Sequence, residues 1–128
     1  MFIASVSFSQ SYSDDFESYA VGDYIGVESD TWTTWSGNTG GTEDAQITSD
    51  QANSGSNSIY FEVVGAQGPQ DVVLDFGGLH TEDIFNFEAY FYIPDGSSAY
   101  FNFQGDETIG ETWAIDVYMN SDGSLVVS

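Results

Sequence analysis

Hydrophobic and polar residues alternate with a period of two along most of this chain, and no segment carries a clear period of 3.6. Alternation of this kind predicts β-strands that turn one face toward a core. Residues 84–93 are the clearest example, because Phe87 and Phe91 fall on one face while Glu88 and Tyr90 fall on the other. We therefore expect a strand over this segment.

Two hairpins follow from the turn residues. Residues 84–93 lead into Pro94-Asp95-Gly96, where proline presets φ and glycine accepts a positive φ, and alternation resumes over residues 98–104. A second strand is predicted over residues 112–119. There Trp113, Ile115, Val117 and Met119 form the inner face, Asn120-Ser121-Asp122-Gly123 turns the chain, and residues 125–127 begin the return.

Shorter alternating or β-branched runs predict further strands, separated by stretches rich in glycine and serine, at residues 24–27, 31–35, 45–48, 58–64 and 71–76. Trp32 and Trp35 are three apart, so a straight strand sends them to opposite faces. Many short strands with turns between them predict an all-β fold, an antiparallel β-sandwich of the jelly-roll type. Residues 11–128 are expected to form one such domain.

The composition limits the partners of this domain. The chain has 128 residues and a formal net charge of −21, with 21 acidic residues and no Lys or Arg. Binding to nucleic acid or to anionic membranes requires basic residues, so both are excluded. The 10 Phe, 8 Tyr and 3 Trp supply a core that a disordered acidic tail lacks. Cysteine is absent, which excludes disulfides and thiolate chemistry.

Both ends of the chain leave alternatives open. Residues 1–10 (MFIASVSFSQ) have the apolar and small residues of the end of a secretory signal peptide, and they also suit a first or donor strand. Residues 125–128 stop within a predicted strand. Either that strand is the last of the fold or the domain continues beyond it.

Several segments in order resemble laminin-G-like, concanavalin-A-like jelly-roll domains of secreted bacterial proteins that use type IX secretion. These segments include Asp-Asp-Phe-Glu-Ser-Tyr and Trp-Thr-Thr-Trp-Ser-Gly, and they lie at residues 14–19, 21–24, 32–37, 54–59, 68–72 and 87–92. The resemblance implies a jelly roll, export to the cell surface or medium, and a role in glycan contact, adhesion or surface structure.

One acidic pair is a candidate calcium site. Asp15 and Glu17 are two apart on a presumed strand, so their carboxylates face the same way. Hard oxygen ligands of this kind suit Ca²⁺. The resemblance also implies a structural calcium near the N-terminal strand. The alternative interpretation is a solvated acidic edge.

The predicted outward face carries a set of residues suited to sugars. Rings stack on the CH faces of sugars, while amides and carboxylates bind their hydroxyl groups. The candidates are Tyr60, Glu88, Tyr90, Tyr92, Tyr100, Asn102, Gln104, Asp116 and Tyr118. The alternatives are that tyrosines simply favour strands, or that this face packs against a second layer.

Catalysis is the weaker interpretation. A retaining glycosidase needs two carboxyl groups about 5–5.5 Å apart, and only Glu88 and Asp116 could meet in this way across strands. His80 is the only histidine and is expected in a turn. No nucleophile elbow or phosphate-binding glycine loop is present. The sequence therefore predicts a protein that is not an enzyme.

These observations predict a secreted, non-catalytic β-sandwich for glycan contact or cell-surface adhesion, stabilised by calcium. The alternative is a self-assembling subunit of an extracellular filament or surface layer. In that case the strand-prone residues 1–9 of one copy would complete the sheet of another. Because subunits of charge −21 repel one another, such assembly would need main-chain pairing, counterions or salt.

Overall fold

A computed structural model describes residues 12–62, 70–78 and 85–128 of the chain. The predicted signal peptide or donor strand at residues 1–10 lies outside these residues. The same holds for His80 and for the last part of the predicted strand 58–64. Within the described ranges the regular secondary structure consists mostly of short strands, and every strand pair is antiparallel.

The elements are one short helix and seven strands: α1 Ile25–Glu28, β1 Trp32–Thr34, β2 Gln46–Thr48, β3 Ser58–Tyr60, β4 Val72–Leu74, β5 Ala99–Gln104, β6 Trp113–Met119 and β7 Leu125–Val127. Strand β1 pairs with β4, and β2 pairs with β3. Strands β5, β6 and β7 follow one another in a three-stranded sheet, here called the meander. The antiparallel all-β prediction is thereby confirmed.

The core lies among α1 and β1–β4, here called the helix region (residues 12–62 and 70–78). Ile25, Ala45 and Ile47 are buried at its centre. Ile47 pairs with Ile59 across β2 and β3, which places two branched side chains on adjacent strands. The partly buried side chains packed around this centre are Phe16, Tyr19, Trp32, Ile59 and Val72.

The strand predicted at residues 24–27 is wrong, since the chain turns into α1 there. Asp44 explains the change, because its Oδ1 accepts a hydrogen bond of 3.1 Å from the N–H of Gly26. A Cβ at Gly26 would lie 2.9 Å from Asp44 Oδ2, so only glycine permits this approach. The first turn of the helix is thus held by a carboxylate distant in sequence, which alternation does not reveal.

The second predicted hairpin is confirmed. Strands β6 and β7 are joined by a turn in which the Gly123 N–H donates to the Asn120 carbonyl at 2.9 Å. Its predicted inner face is only partly covered. Val117 is buried, but Trp113 and Ile115 are 49% and 43% exposed. The part of this inner face that Trp113 and Ile115 form is therefore open among the described residues.

The first predicted hairpin is confirmed only in its turn and its second strand. The Ser97 N–H donates to the Pro94 carbonyl at 3.0 Å, and β5 follows, but residues 85–93 form no strand. Their phenylalanines nevertheless contact β5: the rings of Phe91 and Phe101 are stacked 5.4 Å apart. Alternation thus predicted which side chains meet, whereas the backbone ladder that it implied is absent.

The helix region and the meander meet through aromatic side chains. Trp35 lies 5.9 Å from Trp113, and Phe76 lies 6.3 Å from Phe103, measured between ring centroids. An open depression of about 3660 Å³ is lined by residues of both regions and of the segment 85–98. Small-ligand pockets measure about 300–1,000 Å³, so this depression is not a pocket of that kind.

Candidate functional site

Five of the predicted glycan-binding residues lie together on one face of β5 and β6. The register pairs Tyr100 with Tyr118 and Asn102 with Asp116, and residues directly opposite in a ladder share a face. Gln104 extends the same row of β5, where a β-bulge shifts the register after Phe103. We call these five residues, Tyr100, Asn102, Gln104, Asp116 and Tyr118, the tyrosine face.

A chain of side-chain hydrogen bonds orders the tyrosine face. The Tyr100 hydroxyl donates to Asp116 Oδ1 at 2.6 Å, and Asn102 Nδ2 donates to the Tyr100 hydroxyl at 3.0 Å. Gln104 Nε2 then donates to Asn102 Oδ1 at 3.0 Å. The row ends on the backbone, because the Gly110 N–H donates to Gln104 Oε1 at 2.7 Å. These side chains are therefore held in place before any ligand arrives.

The rings of Tyr100 and Tyr118 remain accessible. Their centroids are 4.9 Å apart, their planes are tilted by 39°, and the side chains are 48% and 41% exposed. Rings arranged in this way offer a stacking surface next to polar groups. The hydrogen bond to Asp116 is the main cause that raises the pKa of Tyr100 above its ordinary value. Tyr100 therefore remains a neutral hydroxyl donor at neutral pH.

The four other predicted residues lie apart from the tyrosine face. Tyr60 belongs to β3, and its hydroxyl donates to Glu62 at 3.3 Å. The Tyr90 hydroxyl donates to Glu88 at 2.7 Å, within residues 85–93. Tyr92 is exposed on the same segment. Among the described residues, no hydrogen bond or ring contact joins these four to the tyrosine face.

The two carboxylates considered for catalysis each accept a hydrogen bond from a different tyrosine. Asp116 accepts the hydroxyl of Tyr100, whereas Glu88 accepts that of Tyr90. In both pairs the hydrogen bond to the carboxylate is the leading cause that raises the pKa of the tyrosine. The prediction that the protein is not an enzyme stays a prediction.

No family model, curated protein or solved structure matches the chain. The resemblance to laminin-G-like jelly rolls therefore stays a prediction. Among the described residues, no helix combines the length and apolar sequence required to cross a membrane. Function has to be inferred from the side chains of the described surface.

Asp15 and Glu17, the candidate calcium ligands, accept hydrogen bonds from backbone N–H groups. Asp15 and Glu17 do not lie on a strand; Asp15 Oδ1 accepts the N–H of Glu17 at 3.1 Å. Glu17 Oε1 accepts the N–H groups of Ser56 and Asn57 at 2.8 and 2.7 Å. Within the described ranges, no three acidic or histidine side chains are grouped to hold a metal ion. Calcium binding by this pair stays a prediction.

Sequence reasoning missed two structural carboxylates. Asp14 accepts hydrogen bonds from the Tyr12 and Tyr19 hydroxyls, at 3.0 and 3.1 Å, and so ties the first described residues together. Asp44 is 1% exposed and accepts three backbone N–H groups, those of Gly26, Gly40 and Ala45. Their partners come from separate segments or from turns, so alternation carries no signal for either role.

Proposed function

We propose that the protein is a non-catalytic, secreted β-sandwich of the jelly-roll type whose tyrosine face binds glycans in surface adhesion. The observation that carries this proposal is the accessible ring pair of Tyr100 and Tyr118 beside a pre-ordered row of polar side chains. The antiparallel sheets support the jelly-roll part, because such folds are built from antiparallel strands alone.

The tyrosine face has both kinds of contact that a sugar needs. The two rings offer apolar area to the CH face of a sugar. Asp116 uses only Oδ1 for Tyr100, so its Oδ2 can accept a sugar hydroxyl. Asn102 uses one N–H for Tyr100, which leaves its second N–H as a donor. Alternating donors and acceptors next to rings suit a hydroxyl-rich ligand.

Order in the free protein supports binding. The hydrogen bonds from Gly110 through Gln104 to Asn102 hold these side chains in one rotamer. Their rotational freedom is therefore already restricted before a ligand binds. Immobilising a free side chain costs about 0.5–1.5 kcal/mol, so a pre-ordered face keeps more of its contact energy. The strands beneath also hold the rings at a fixed spacing.

Isothermal titration of purified protein against neutral oligosaccharides tests the proposal, with Tyr118→Ala as the key variant. We expect the loss of one ring to weaken binding by about 2- to 10-fold. Tyr92→Ala is the matched control, since Tyr92 is an exposed tyrosine outside the tyrosine face, and it should bind like the parent. Absent binding, or equal affinity of parent and Tyr118→Ala, would contradict the proposal.

Self-assembly is a second candidate because of the edge of the meander. Strand β7 pairs only with β6 among the described residues, and Leu125, Val126 and Val127 are all exposed. An exposed apolar edge is a template for pairing with another chain. Val126→Lys should block such pairing, whereas Val126→Thr should not. Light scattering at rising concentration tests this, and a parent protein that stays monomeric would contradict it.

Calcium stabilisation remains part of the proposal for Asp15 and Glu17. A rise in Tm with CaCl₂, absent with MgCl₂ and reversed by EDTA, would support it. An unchanged Tm in all three conditions would contradict it, because an ion bound only to the folded state must stabilise that state.

A further inference from the structure

The carboxylates of this protein have no Lys or Arg side chain to pair with. Many are satisfied instead by nearby backbone N–H groups. Asp75 accepts from Gly77, and Asp106 accepts from Thr108, each within two residues. Asp122 accepts from Ser124 in the same way. Each of these carboxylates therefore has one oxygen held by a backbone donor within its own turn.

Asp116 is satisfied differently. Its side chain accepts no backbone N–H among the described residues, and its single donor is the Tyr100 hydroxyl on Oδ1. It is half-buried in the middle strand of the meander, opposite Asn102, which donates to Tyr100 rather than to the carboxylate. One oxygen of Asp116 is therefore left for a ligand, beside the rings of Tyr100 and Tyr118.

An aromatic pair next to a carboxylate favours a positively charged group. Ring faces attract cations even at exposed sites. A carboxylate makes its strongest hydrogen bonds with charged donors. The chain contains no Lys or Arg to occupy this position, so a cationic ligand can take it.

We infer that the ligand of the tyrosine face is a glycan with free amino groups, whose ammonium contacts Asp116 and the rings of Tyr100 and Tyr118. This inference rests on the proposed glycan binding and specifies the sugar class. Glucosamine-type units fit it, since they combine a CH face, hydroxyl groups and one ammonium. N-acetylated units lack the charge, and uronic acids carry the opposite one.

The net charge of −21 complicates a simple binding assay, because it attracts any cation at long range. At about 0.15 M salt the Debye length is about 8 Å, which screens this general attraction. A matched variant distinguishes the local effect of Asp116 from the long-range attraction that remains. Asp30→Asn removes the same charge as Asp116→Asn, but from an exposed position ahead of β1.

The experiment is calorimetric titration of the full chain with three tetrasaccharides, made of glucosamine, N-acetylglucosamine or galacturonic acid. At about pH 6 the amine of the glucosamine units is protonated and the carboxyl groups of the galacturonic acid units are ionised. We expect the glucosamine tetramer to bind at least about 5-fold more tightly than the acetylated one, and the uronate not to bind. Asp116→Asn should abolish that preference, while Asp30→Asn should keep it.

The outcomes distinguish this inference from the proposed function. Equal affinity for the amine and acetylated tetramers would overturn the inference and leave glycan binding standing. Failure of all three to bind would overturn both. Equal weakening by Asp30→Asn and Asp116→Asn would assign the amine preference to overall charge, and so would also overturn the inference.

Discussion

The helix region and the meander use the same residue type in opposite ways. In the helix region Asp44 is 1% exposed and joins three segments through the N–H groups of Gly26, Gly40 and Ala45. In the meander Asp116 is half-buried and accepts only the hydroxyl of Tyr100. The first carboxylate completes the fold, whereas the second leaves bonding capacity on an accessible surface.

This difference bears on the proposed binding surface of a chain that has no Lys or Arg. A buried charge is costly unless hydrogen bonds replace its hydration, and backbone N–H groups can do so without a cation. Where such donors are lacking, a carboxylate has to remain near solvent. Asp116 meets this condition beside two tyrosine rings, which is why the proposed glycan binding is located on the meander rather than on the helix region.

Removing each carboxylate should separate the two roles most strongly. Asp44→Ala leaves three N–H groups without their acceptor, so we expect a loss of about 3–5 kcal/mol in the free energy of unfolding. Asp116→Ala should cost less than about 1 kcal/mol. Urea denaturation measures both. If Asp44→Ala does not fold, Asp44→Asn should show an intermediate loss. Similar losses for Asp44→Asn and Asp116→Ala would contradict the comparison.

Glycines give a second contrast, with a smaller expected effect. Gly55 and Gly123 both have a positive φ, but a Cβ at Gly55 would lie 2.5 Å from the Glu17 carboxyl carbon, whereas that at Gly123 meets open space. We expect Gly55→Ala to cost about 2–4 kcal/mol and Gly123→Ala about 1–2 kcal/mol. Equal thermal shifts would argue against a tightly held contact between Glu17 and the turn at Gly55.

The buried hydroxyl of Thr34 gives a smaller effect of opposite sign. Thr34 is buried, and its Oγ1 has no hydrogen-bond partner among the described residues. Thr34→Val keeps the shape and removes the unsatisfied oxygen, so stability should rise by up to about 1 kcal/mol. Thr33→Val, on the same strand, is the control. A clear loss of stability in Thr34→Val alone would show that the hydroxyl has a partner.

The smallest effect concerns the titration of Tyr100. Its raised pKa means that the hydrogen bond to Asp116 stabilises the fold below the ordinary tyrosine pKa and is lost as the pH rises through the raised value. Asp116→Asn should lower the pKa of Tyr100 toward its ordinary value, as followed by NMR of the ring. Asp30→Asn should leave it unchanged. An unaltered Tyr100 titration in Asp116→Asn would be incompatible with the hydrogen bond.

Alternation and turn residues predicted the three strands of the meander and the turn at Gly123, because β6 and β7 are joined by a short turn. The pairing of β5 with β6 was not predicted, since eight residues separate these strands and their register shifts at a β-bulge. The five residues of the tyrosine face were predicted on outward faces, but that they share one face depends on this pairing. The sequence could not separate the five residues of the tyrosine face from the nine predicted glycan-binding residues, since residues 85–93 alternate like a strand without forming one.

Sequence patterns failed where distant backbone groups decide the structure. Helix α1 depends on Asp44, which lies 18 residues from Gly26. The role of Glu17 depends on Ser56 and Asn57, which are about 40 residues away. Local alternation contains no information on either contact.

Chemical-shift mapping of the labelled protein with the glucosamine tetramer tests the central claim most directly, because it shows where a ligand binds. The account predicts perturbations centred on the backbone amides of Tyr100, Asn102, Asp116 and Tyr118, with the helix region unchanged. Perturbations centred on the helix region, or spread evenly over exposed acidic residues, would contradict the assignment of the tyrosine face as the binding surface.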